Sequence, residues 1–206
     1  MNSYLRIAFA ASAFAWMAGT LSGKAGKNLV QQQTLVIHLY NAAEVNSRTL
    51  HWATVEADRL FRAAGIQIDW QPLSAETAEP AACSAFDHPS YVLMRLVRKA
   101  PPRASPGALG LARPFAREGR ALIFWERLEE LRGTTSLQDY TILGYVMAHE
   151  IGHVLLHSTE HSAGGVMQTR WSDMSWHLAS QGLLAFRPEE AERMKAGLAR
   201  FHNGCP

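Results

Sequence analysis

Residues 142–156 read ILGYVMAHEIGHVLL. Wound at 3.6 residues per turn, this segment is apolar on nearly every side. A helix of that kind has no solvent face, so the rest of the fold must be built around it. Ser136 is placed to cap its start and Asp139 to sit in its first turn. The expected helix covers residues 137–157. Apart from the phenol of Tyr145, the ionisable groups between Ile142 and Leu156 are His149, Glu150 and His153. Burying these without partners would be costly, and a bound cation would remove that cost.

The other elements follow from periodicity. Residues 34–40 (TLVIHLY) and 91–97 (YVLMRLV) are β-branched and apolar, as buried strands are. Residues 66–70 alternate, and residues 120–125 form another strand that runs into a helical turn at 126–131. Residues 108–115 are expected as a short edge strand, because Pro114 cannot donate to a ladder. Asn46 or Ser47 caps a long helix over 46–64, with Leu50, Val55, Leu60 and Phe61 on its apolar stripe. Gly65 ends it. Residues 72–90, rich in Pro, Ala and Ser, read as a loop. Two C-terminal helices are expected, over about 172–184 and 188–201, the second opening on Pro188 with Glu189 and Glu190 in its first turn. The expected class is α+β, a mixed twisted sheet of about five strands with helices against it.

The 206 residues divide into an expected signal peptide (or N-terminal anchor) at 1–25, a linker at 26–33 and one domain at 34–206. Arg6, then the apolar run from Ile7 to Leu21, carries the export reading, periplasmic or extracellular. The formal charge of +2 and the scattered Arg and Lys argue against nucleic acid as a partner. The expected form is a monomer without stable membrane association once the leader is removed. Export would also let Cys83 and Cys205 pair.

His149-Glu150-Ile151-Gly152-His153 is an H-E-x-x-H pattern. Positions four apart lie one turn apart on one helix face. Both imidazoles can then reach one Zn2+ ion at about 2.0–2.1 Å. Glu150 points about 100° away, suited to a metal-bound water and not to the metal. Zinc lowers the pKa of such a water to about 7, and Glu150 would take the proton.

A third protein ligand is needed. His157, on a continuing helix, would stand about 12 Å along the axis from His149, too far to share an ion. His161 lies beyond Ser158 and Thr159, where the chain can turn back, and Gly164 and Gly165 permit a tight reversal. His161 is therefore the favoured ligand. Glu160 remains a candidate for a fully coordinated, non-catalytic zinc site. Glu189, Glu190 and Glu192 remain candidates for a layout with a later glutamate as third ligand.

His149-Glu150-x-x-His153, then His161-Ser162, then Gly165-Val166-Met167, resembles the metzincin zinc peptidases. The segment is similar to small bacterial proteins carrying HEIGH, then HS, then G-[IV]-M. The likeness spans residues 34–170. It implies a zinc endopeptidase acting on peptide or protein substrates, with Met167 as the methionine packed beneath the metal. Two positions depart from the family pattern. Leu156 stands where a helix-breaking glycine is expected, and His161 falls two residues later than the usual third histidine. The helix should therefore run longer and its loop close differently. The tyrosine that some members place just after the methionine is missing.

The remaining candidates read as structural. His38 and His51 belong to a strand and a helix, and His177 is expected to pack against Trp171 and Trp176. His88 reads as solvated, and His202 is uninformative. Tyr145 could assist an oxyanion but is expected to be buried. No motif around Cys83 supports a latency switch.

Overall fold

The computed structural model describes residues 34–74, 91–114 and 119–203, with side chains to residue 199. The expected leader, linker, Cys83, Cys205, His88 and most of the 72–90 loop lie outside these residues. Among the described residues, no helix is long and apolar enough to cross a membrane.

The chain order is β1 (Thr34–Asn41), α1 (Ser47–Ala63), β2 (Gln67–Leu73), β3 (Tyr91–Val97), β4 (Gly110–Arg113), β5 (Gly119–Phe124), α2 (Trp125–Arg132), α3 (Asp139–Leu156), α4 (Asp173–Ser180) and α5 (Pro188–Asn203). The strands form one sheet in the order β2-β1-β3-β5-β4. The first four are parallel, and β4 runs antiparallel to β5 at the edge. Parallel neighbours need crossover connections; the antiparallel pair β4 and β5 does not. Pro72 is accommodated because β2 is the opposite edge.

Alternation divides the sheet into two faces. Leu35, Ile37, Leu39, Val92, Met94, Leu96, Ala121 and Ile123 are buried on the inner face. They belong to one apolar core with Ala53, Ala57, Leu60 and Phe61 of α1 and with Ile142, Leu143, Met147 and Ile151 of α3. Helix α3 also packs against α5, β4 and β5, which leaves it no solvent face, as its composition demanded.

Helix ends explain the small departures from expectation. The Asn46 side chain accepts the Thr49 N–H at 2.9 Å, so Asn46 and not Ser47 is the cap of α1. Gly65 follows α1 at φ +78°, where a side chain would be strained. Ser136 does not cap α3. The chain leaving α2 spends residues 133–136 in a turn, with Thr134 and Thr135 bonded back to Leu131 and Arg132. Helix α3 then starts at Asp139, which pairs with Arg132 at 3.1 Å. Its far end is Leu156. His157 caps it in the left-handed region at φ +50°, turning the chain back without glycine.

Candidate metal centre

Two imidazoles come from α3 and one from the loop after it. His149, His153 and His161 each offer a ring nitrogen, and these atoms lie within 4.8 Å of one another. No other cluster of His, Cys, Asp or Glu suited to a metal occurs among the described residues.

The outer hydrogen bonds fix the chemistry of the inner atoms. His149 Nδ1 lies 2.8 Å from the Val166 carbonyl, and His153 Nδ1 lies 2.8 Å from the Ser158 carbonyl. A carbonyl only accepts, so each Nδ1 carries the hydrogen and each Nε2 carries a lone pair. The two Nε2 atoms are 3.1 Å apart. With both protons on Nδ1, that pair is not a hydrogen bond. Two lone pairs at that distance repel unless a cation lies between them. A tetrahedral zinc with bonds of about 2.0–2.1 Å holds neighbouring ligands ~3.4 Å apart, close to what is seen. The ring of His161 stacks on His149 with centroids 5.3 Å apart and stands edge-on to His153 at 4.8 Å.

The rings are held neutral. Burial, then the neighbouring His153 and His161, push His149 down to about 3, against the opposing bond to Val166. Burial lowers His153, and His161 adds to the effect while the bond to Ser158 opposes it. Burial also lowers His161. Neutral imidazole is the form that binds metal. Three neutral nitrogens on one side, with no thiolate and no carboxylate among them, suit zinc and leave room for a fourth ligand.

Glu150 is 5% exposed and is not a member of the nitrogen cluster. Burial pushes its carboxyl up to about 8, against a hydrogen bond donated by the Ala112 backbone. Its neighbour on the other side is Gly110. A Cβ there would lie 2.5 Å from Glu150 Oε1 and 2.8 Å from Cδ, so β4 can pass only as glycine. Residues 110 and 112 alternate with 111 and 113. The side that faces α3 therefore carries only a glycine and an alanine, which leaves space for the carboxylate.

The loop from His157 to Gln168 is tied down at several points. Ser162 N–H donates to the Met167 carbonyl at 2.9 Å, and Val166 N–H to the Ala185 carbonyl at 3.0 Å. Met167 is 1% exposed, and a Cβ on Gly152 would meet its sulfur at 2.5 Å. The glycine inside H-E-I-G-H thus makes room for the Met167 side chain against α3.

Two contributors were not legible in the sequence. Trp171 Nε1 donates to the Val166 carbonyl at 3.2 Å, the same oxygen that holds His149, and its ring stands edge-on to His149 at 5.6 Å. Glu190, 2% exposed, accepts the Ser162 hydroxyl on one oxygen and the Arg187 N–H at 2.8 Å on the other. The second bond is half of a capping box for α5. The first ties α5 to the residue after His161.

That bonding corrects the reading of Glu190 as a third ligand. Glu189 is paired with Arg187 and Glu192 with Lys195, both at 2.6 Å, so neither stands in the metal group. Glu160 is exposed and also outside it. Tyr145 is buried, but its hydroxyl accepts from Arg59 at 2.9 Å and donates to the Leu184 carbonyl at 3.1 Å. Burial pushes that phenol up to about 12. It has no part in the centre. His177 is exposed on α4 beside Gln181 and not packed against the tryptophans, because α4 turns Trp176 inward and the next residue outward. His38 stands edge-on to Tyr91, and His51 is exposed on α1.

No protein-family model matches this chain, and no curated protein matches it. Solved structures do. Archaemetzincin from Methanopyrus kandleri matches with a TM-score of 0.52 at 14% identity, over 82% of this chain and 97% of that one. A zinc-dependent peptidase from Methanocorpusculum labreanum matches at TM-score 0.45 and 16% identity, over 79% and 99%. The first likeness shows a shared fold: a five-stranded mixed sheet backed by helices.

Proposed function

We propose that this chain is an exported zinc-dependent endopeptidase of metzincin-like type. His149, His153 and His161 hold one zinc ion and Glu150 is the general base. The observation that carries the reading is the buried Glu150 carboxylate beside three converging imidazoles, beneath the β4 edge of the sheet. The name of the neighbour that shares the fold, an archaemetzincin, agrees with it.

Zinc held at this site supplies a Lewis acid that acidifies water and polarises a peptide carbonyl. The protein's own groups do the rest. Burial alone favours the protonated carboxyl, and the charge of a bound zinc would favour the carboxylate; ionised, Glu150 takes a proton from the attacking water and returns it to the leaving nitrogen. The Ala112 N–H holds the carboxylate in place while it does so. Leu109 C=O accepts the Phe124 N–H, so residues 109, 111 and 113 bond inward to β5. By alternation, the polar groups of Gly110 and the carbonyl of Ala112 face outward along the edge. An extended peptide can add to that edge and pass over the histidines.

Metal analysis of the purified chain followed by peptide-library digestion tests the proposal. Zinc at one per chain, with cleavage lost to a chelator and restored by zinc, is the expected result. Glu150→Gln should keep zinc and lower kcat by about 10²–10⁴-fold. Stoichiometric zinc with no hydrolysis of any peptide would favour a purely metal-binding protein.

A further inference from the structure

On the sheet face away from the helices, beside the edge of β4, lies a hollow of about 210 Å3. It is bounded by Leu93, Arg95, Leu111, Arg113, Arg120 and Leu122. The register explains the grouping. Leu111 and Arg95 flank Leu122 from either side, and Arg120 lies between Leu93 and Arg113. Strands β3, β4 and β5 carry three arginines and no acidic residue. Among the described residues, the acidic group on this face is Asp69 of β2, which lies beyond β1, hydrogen-bonded by Gln71 and next to His38.

The floor is apolar and the rim cationic. Leu111 is 40% exposed. The Arg95 guanidinium lies over the Tyr40 ring, 5.1 Å from its centre, and its Nε is buried with no acceptor among the described residues. Arg120 has an interaction of its own, so among the described residues the charge without an acidic partner is that of Arg95 and Arg113.

We infer that this hollow selects the substrate: peptides with a Glu or Asp side chain two residues from an apolar one. The inference rests on the peptidase reading above. A peptide paired with β4 meets the outward groups of Gly110 and Ala112. Its residues opposite Leu111 and Arg113 then project on the same face as those side chains, about 4.5–5.5 Å away between Cβ atoms. An apolar residue there covers Leu111 and the leucine floor. A carboxylate two positions on meets Arg113, with Arg95 across the hollow, in a charge-assisted pair. A lysine in that place would face two cations.

The test uses peptides identical except for Glu, Gln or Lys two residues from a leucine. Cleavage is measured with the zinc-loaded full chain, and binding with zinc-loaded Glu150→Gln. The Glu peptide should be preferred about tenfold over Gln, with Lys worst. Arg113→Glu should invert that order, and Arg95→Gln should flatten it. Cleavage with one unchanged ranking in the parent and both variants overturns the inference and leaves the peptidase reading standing. No cleavage by the parent, with the acidic peptide still bound most tightly, overturns the peptidase reading and keeps the hollow as an acidic-peptide site. No preference in either readout overturns the inference.

Discussion

The metal centre is built from two unlike regions. His149 and His153 are one turn apart on a helix with no solvent face, and their spacing is dictated by helical geometry. His161 sits on a loop and owes its place to bonds made elsewhere: Ser158 to His153, Ser162 to Met167 and Glu190, and Val166 to Ala185. Rigidity in the first region is intrinsic. In the second it is borrowed from α5 and the residues before it. The difference predicts where the site will yield first.

His153→Ala should break the preset pair and abolish stoichiometric zinc, read by metal analysis after dialysis. His161→Ala should leave the two helical nitrogens in register and retain weak zinc binding. Equal loss in both variants would remove the distinction between the two regions. A second variant acts on Glu150 alone. Gly110→Ala places a methyl where the carboxylate now lies. It should cut kcat by about 10²-fold or more while zinc content holds, since the carboxylate must move out of reach of the reacting water. Unchanged kcat would mean that Glu150 is not held by β4 as described.

The division also decides what could be read from the residues in order. Helical periodicity carried α1 and α3, and the H-E-x-x-H spacing brought His149, Glu150 and His153 together, because those relations are local. His161 was reachable too, since the loop is short and His157 is excluded by distance. The support for these groups was not. Glu190 lies 28 residues beyond Ser162, in a first helical turn where acidic residues are common for another reason. As a sequence feature it was indistinguishable from Glu189 and Glu192. Gly110 reads as ordinary edge-strand glycine until Glu150 is placed against it. His177 failed for the same reason: proximity to two tryptophans along the chain does not say which way a short helix is turned.

If α5 lends its rigidity to the His161 loop through one carboxylate, removing either end of that bond should have the same effect. Ser162→Ala and Glu190→Gln should each weaken zinc affinity by up to about 10-fold, less than loss of a direct partner of a metal-bound histidine would. The double variant should lose little more than either alone. Glu190→Gln also disturbs the cap of α5, so it should lower Tm further than Ser162→Ala. Matching losses of affinity with unequal losses of Tm would separate positioning of the loop from general stability. Additive losses of affinity would show that the two side chains act apart.

The smallest effect is expected where the helical region leans on the loop. Trp171 shares the Val166 carbonyl with His149, so it steadies a histidine whose position is already set by α3. Trp171→Phe keeps an aromatic ring against His149 and deletes one N–H donor. The lost bond is long and neutral, worth about 1 kcal/mol at most, so zinc affinity should fall by no more than about fivefold. Trp171→Ala should do more, because it also removes the ring that walls His149 and packs on Trp176 at 4.7 Å. The d–d spectrum of the cobalt-substituted protein reads the ligand field directly: Trp171→Phe should leave it nearly unchanged, and Trp171→Ala should alter it. A large change from both substitutions would mean that His149 depends on its loop partner as heavily as His161 does, and the helix would no longer be the self-sufficient half of the site.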